Sequence, residues 1–123
     1  MFDSSQVFES AVAVTADAWS TSAIAVNKTP AEGLLVEVAI TAKDNTTGTL
    51  AIKAYERAAD SGWATTDPVA GQYAGSITTT GRYFFRVVSK LKYLKLYFDV
   101  GGTNPGFTIT AGVVTGGQRD MVA

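Results

Sequence analysis

The chain of 123 residues has no cysteine and no histidine. The first absence removes disulfides and thiolate chemistry and is consistent with synthesis in a reducing compartment. The second removes the most common general base and, with cysteine, the usual metal ligands. Charge is scarce: Asp, Glu, Lys and Arg make up 17% of the chain, against about a quarter to a third on the surface of an ordinary small domain. A surface rich in Thr, Ser, Gly and Ala suits a protein that works packed against others. Long apolar runs are missing too, none approaching the roughly 20 residues that span a bilayer. The start, Met1-Phe2-Asp3-Ser4-Ser5, has neither the basic end nor the apolar segment of a signal peptide.

A net charge of −1 gives no global field to draw the protein to nucleic acid or membrane. The charges are nevertheless uneven. Residues 1–80 hold nine acids and four bases, residues 81–123 two acids and six bases. One account is a chance split solvated on a folded surface. The sharper one is a basic stripe, Arg82, Arg86, Lys90, Lys92 and Lys95, facing an acidic surface such as that of a neighbouring copy.

What the chain does have is alternation. In the stretch Gly81–Gly106, Leu94, Leu96, Phe98 and Val100 fall on one face of a strand and Tyr93, Lys95, Tyr97 and Asp99 on the other. Just before it, Tyr83, Phe85 and Val87 alternate with Arg82, Phe84, Arg86 and Val88, which leaves Phe84 as an apolar ring on an otherwise basic face. With Ser89–Lys92 as a turn, the two runs read most simply as an antiparallel hairpin. Earlier, Leu34, Val36, Val38 and Ile40, then Leu50, Ile52 and Ala54, read as a second hairpin about a polar turn at 43–48. Residues 10–15 and 22–27 read as short strands separated by 16–20. A helix from Glu9 to Trp19 fits less well, because Val12 and Val14 recur with period two. Residues 56–76 read as a long connection with a short strand near 72–77, of the kind a Greek key uses to return a strand across a sandwich. Phe107, Ile109, Ala111 and Val113 form a last strand after a Gly/Pro turn. The expectation is one all-β domain of seven to eight antiparallel strands in a sandwich, with an N-terminal arm at 1–9, the sandwich at 10–115 and a tail at 116–123.

Reactive constellations are lacking. The eleven acids are scattered, so no carboxylate pair for acid–base work is predicted, and a non-enzymatic role without cofactor or metal follows. Asp44 and Asn45 lack the ligand spacing of a calcium loop. Asn45-Thr46-Thr47 matches a glycosylation acceptor by chance, and Gly101-Gly102 precedes no helix that would make it a phosphate cradle. Trp19, Trp63, Tyr73 and Tyr97 are the residues that would stack on sugars in a lectin-like sandwich, although such rings more often serve as core, rim or interface.

The block Lys92–Pro105, KYLKLYFDVGGTNP, followed by Thr108–Gly112, TITAG, resembles the small jelly-roll cement (head decoration) proteins of tailed bacteriophages. Gly33–Val36 and Gly48–Leu50 extend the likeness more weakly, so it covers about half the chain. The long 56–76 connection departs from it. The resemblance implies a jelly roll that forms a homo-oligomer, dimer or trimer, on the outer surface of the capsid in the virion and bridges major capsid protein subunits. On that reading Phe2, Phe8, Tyr93 and Tyr97 are expected to supply apolar contact and Arg82, Arg86 and Lys95 complementary charge. A carbohydrate-binding β-sandwich module of a tail or cell-surface fibre is the alternative.

Overall fold

The computed structural model of the protein describes residues 7–26, 33–43, 48–102 and 105–114. Nine strands and, among the described residues, no helix are found: β1 (Val7–Val14), β2 (Ala18–Trp19), β3 (Ile24–Ala25), β4 (Leu34–Lys43), β5 (Thr49–Arg57), β6 (Val69–Gln72), β7 (Gly81–Val87), β8 (Tyr93–Gly101) and β9 (Phe107–Val113). One sheet runs β1-β9-β4-β7. The other runs β2-β8-β5-β6, with β3 continuing the β2 edge along β8. Every pair is antiparallel.

The faces follow the alternation in the sequence. Val36, Val38 and Ile40 of β4, Leu50, Ile52 and Ala54 of β5, Phe85 and Val87 of β7, Leu94, Leu96 and Phe98 of β8, and Phe107, Ile109, Ala111 and Val113 of β9 form one buried core. Each buried aliphatic or aromatic side chain contributes about 1.5–3 kcal/mol by leaving water. The two sheets are held by this shared interior.

Neither expected hairpin forms. β7 pairs with β4 and β8 with β5, so both the 34–54 and the 81–106 strand pairs are divided between the sheets. The reason lies in the dry faces. Side by side in one sheet, two such faces would still need cover. When the chain steps across to the opposite sheet, about 10 Å away, each face covers the other. The step from β7 to β8 uses Val88–Lys92, and Glu56 at the end of β5 holds it. Its Oε1 accepts the Lys90 N–H at 2.8 Å, the Ser89 hydroxyl at 2.9 Å and the Leu91 N–H at 3.2 Å. Glu56→Ala is therefore expected to destabilise the protein by about 1–3 kcal/mol, through amides left without an acceptor. Glu56→Gln, which keeps the acceptor, is expected to lose less; urea unfolding of the two variants checks this.

Residues 58–68 also differ from expectation. They leave and return on the same sheet, from β5 to β6, and β6 begins at Val69 rather than near 72. The edges β6 and β7 then touch across the sandwich: the Val88 N–H donates to the Ala70 carbonyl at 3.0 Å. A Cβ on Gly71 would lie 2.3 Å from the Arg86 carbonyl oxygen, so only glycine permits this approach.

At the beginning of the described chain, β1 starts at Val7, so residues 7–9 belong to the strand and not to an arm. The 22–27 strand shrinks to β3, and the expected break at 16–20 contains β2. Between these short strands Ser20 bridges the gap on β8. Its N–H donates to the Leu96 carbonyl at 2.8 Å and its hydroxyl accepts the Leu96 N–H at 3.1 Å. A side chain thus replaces the ladder carbonyl, which is how one edge strand becomes two. The tail at 116–123, the Asp44–Thr47 turn and Phe2 lie outside the described residues.

Candidate functional site

The six described residues expected at an interface, all but Phe2, do not form one surface. Phe8 is a core side chain, fully buried among β-strand residues, because β1 begins early enough to turn it inward. Arg82 and Arg86 lie on the outer face of the β1-β9-β4-β7 sheet. Tyr93, Lys95 and Tyr97 lie on the outer face of the opposite sheet. The division of the 81–106 pair therefore also divides the basic stripe, since residues of β7 and β8 point away from each other across the core.

On the first face, β7 places Phe84 opposite Glu37 of β4, with Arg82 opposite Ala39 and Arg86 opposite Leu35. Arg82 Nε contacts Glu37 Oε2 at 3.2 Å and leaves most of its own side chain in solvent. Phe84 is 45% exposed and Val88, on the same side of the strand line, 49%; Val69 on the touching β6 edge is 47% exposed. These are the large apolar side chains exposed among the described residues. Phe84 and Val88 share the outer face of their sheet, with Arg86 between them, whereas Val69, paired with Tyr55, lies on the outer side of the opposite sheet. Phe84 was legible as an uncovered ring. Beyond Leu35 and Glu37 of β4, β9 adds small or hydroxylic residues to this face, with Thr108, Thr110 and Gly112 beside β4.

On the opposite face Trp19 of β2 stands beside Tyr97 of β8. Their ring centroids are 5.0 Å apart, and Trp19 also meets Tyr55 at 5.3 Å and Trp63 at 5.9 Å. This edge-on cluster explains why Tyr55, on the outward side of β5, is only 3% exposed. The 58–68 connection is pinned over it: Arg57 pairs with Asp67 at 2.9 Å, the Ala64 N–H donates to Asp67 at 2.8 Å and the Trp63 indole N–H to Asp60 at 2.9 Å. Tyr73, expected with these rings, packs instead against Tyr83 at 5.4 Å. Next to the cluster is an open recess of about 330 Å³ lined by Asp17, Lys53, Tyr55, Thr65, Tyr97 and Asp99. Asp17 is already engaged, accepting the Val100 N–H at 2.8 Å.

Desolvation raises the pKa of the Tyr97 hydroxyl above the ordinary value of 10.0, with the negative charges of Asp17 and Asp99 adding to the effect. A raised pKa in the folded state means that the folded protein holds this proton longer than the unfolded chain does. The associated stability is fully present below pH 10 and is lost as pH rises through the folded value. In a titration followed by NMR, Tyr97 is expected to ionise above its ordinary value of 10.0, and Asp17→Asn is expected to bring it back toward that value.

No family model matches the sequence, and no curated protein matches it. Function is accordingly argued from the residues themselves. The geometry presents two aromatic or apolar outer surfaces on rigid strands, one flanked by arginines and one by carboxylates.

Proposed function

We propose that this protein is a structural capsid cement protein, a jelly roll that binds the outer surface of a phage head and bridges major capsid protein subunits. The observation that carries this reading is the exposed apolar pair Phe84 and Val88, bordered by Arg82 and Arg86 on the outer face of the β1-β9-β4-β7 sheet. Such a face offers an apolar centre and a charged rim, the anatomy of a protein interface. A shell under internal pressure needs its joints held by complementary surface of about 1,000 Å² or more per contact, not by a reactive group. Many copies on one shell add multivalency.

The strand order supports the jelly-roll part. With β2 and β3 counted as one interrupted strand, the eight strands run 1-8-3-6 and 2-7-4-5, as two interlocked Greek keys require. The KYLKLYFDVGG block falls on β8, between β2 and β5 in its sheet, and TITAG on β9, between β1 and β4. The recognisable segments are therefore inner strands of the two sheets, where β-branched and aromatic residues are most constrained.

Purified protein mixed with heads that lack it is expected to co-sediment and to add density on the outer surface by electron microscopy, as a dimer or trimer. Protein that stays in the supernatant would defeat the proposal. The recess beside Trp19, Tyr55 and Tyr97 favours a second reading, a carbohydrate-binding module of a tail or cell-surface fibre. Binding on a glycan array without binding to heads would select it.

A further inference from the structure

The recess beside the aromatic cluster is lined by polar side chains that solvent reaches. Asp17, Lys53, Thr65 and Asp99 all border it and all are exposed. Ala51, the smallest outward side chain of β5, pairs with Asp99 and leaves the depression between larger neighbours.

The two ends of the recess carry opposite charge. With Trp19 opposite Tyr97 and Ala18 opposite Phe98, the register carries Asp17 to the position across from Asp99. The bond from the Val100 N–H to Asp17 Oδ1, at 2.8 Å, fixes the carboxylate there. Like charges directly opposite on neighbouring strands repel. Among the described residues neither aspartate has an ion-pair partner. The Tyr97 hydroxyl feels the negative charge of both, which places both beside it. Lys53, across from Tyr97 on β5, lies beyond ion-pair reach of either carboxylate. Between the two ends stands the Tyr97 ring, held edge-on by Trp19 at 5.0 Å and by Tyr55 at 6.4 Å.

We infer that this recess binds an amino sugar, a pyranose ring carrying a free ammonium group. The ammonium lies between Asp17 and Asp99 and relieves their repulsion, with charge-assisted hydrogen bonds to both. Ring hydroxyls accept from Lys53 and exchange hydrogen bonds with Thr65, and the C–H edge of the ring rests against Tyr97. A lysine side chain from a protein suits the recess less well. Its methylenes would strip water from Lys53 and Thr65 without offering them a partner. The inference rests on the carbohydrate reading and not on the capsid reading, since the recess opens on the sheet opposite to Phe84 and Arg86.

Three probes separate the contributions. Methyl glucosaminide keeps both ammonium and hydroxyls, methyl glucoside keeps the hydroxyls alone, and cyclohexylammonium keeps the ammonium alone. Binding is followed through the Lys53 and Val100 amides by NMR at about pH 6, where the amine holds its proton and the aspartates do not. The glucosaminide is expected to shift both amides saturably, with a dissociation constant on the order of millimolar for so small a ligand. The other two are expected to bind at least about tenfold more weakly, as is the glucosaminide to Asp99→Asn. Ala51→Phe, which fills the depression from the outer face, is expected to abolish binding. Equal binding of the glucoside would overturn the ammonium site and leave the carbohydrate reading standing, whereas no response to either sugar would overturn both. Cyclohexylammonium binding as tightly as the glucosaminide, or undiminished binding by the folded Asp99→Asn protein, would also overturn the inference.

Discussion

Phe98→Ala is expected to lower stability by about 3–5 kcal/mol, a large part of the roughly 5–15 kcal/mol that holds a domain of this size folded. Phe98 is fully buried at the middle of β8, paired with Ala18 of β2 on one side and Ile52 of β5 on the other. Truncating it removes a ring from the centre of the shared core and leaves a cavity that strands on both sides are hydrogen-bonded too firmly to close. In guanidinium chloride unfolding the midpoint is expected to fall while the slope stays the same. Phe84→Ala is the matched control, the same truncation on a ring nearly half exposed, and is expected to change stability by no more than about 0.5 kcal/mol. Similar losses for the two phenylalanines would contradict the assignment of inner and outer faces.

The pair Phe84→Asp and Arg86→Glu is expected to behave in the opposite way, leaving the fold intact and ending head binding. A central aromatic anchor and a flanking arginine each contribute about 2 kcal/mol or more when they are interface hot spots. Reversing charge at both positions makes the loss on the order of a thousandfold. Arg86 is preferred to Arg82 for this test because Arg82 neutralises the buried Glu37, so that its reversal would disturb the fold as well as the surface. Co-sedimentation with heads reads the result, and thermal unfolding confirms that the variant is folded. Retained binding by the folded double variant would remove the outer face of β7 from the interface and direct attention to the Trp19–Tyr97 face.

Much of the fold could be read from residues alone, and for a simple reason. A strand half buried in a sandwich must place apolar side chains at every second position, so Leu94, Leu96 and Phe98 announce their face whatever their partners are. The same holds for Val36, Val38 and Ile40, and for Phe107, Ile109 and Ala111. Exceptions arose where a side chain did backbone work or a segment covered the outside. Ser20 interrupts an edge strand by hydrogen-bonding in place of the main chain. Tyr55 is buried from the outer side because Trp19 and the 58–68 connection lie over it. Phe8 was assigned to a surface because one phenylalanine among polar neighbours shows no period, and it became core once β1 was seen to start at Val7.

Strand identity, the inward residues and the all-β class thus follow from local alternation, because burial on one face is a property each strand carries in its own side chains. Pairing does not. Whether β7 lies beside β8 or across from it depends on which arrangement lets two dry faces cover each other, and that is settled by the whole set of strands at once. The same choice sent Arg82 and Arg86 to one side of the molecule and Tyr93, Lys95 and Tyr97 to the other. It brought Ala70 to Val88, and it placed Glu9 in a seam with half of its carboxylate unanswered.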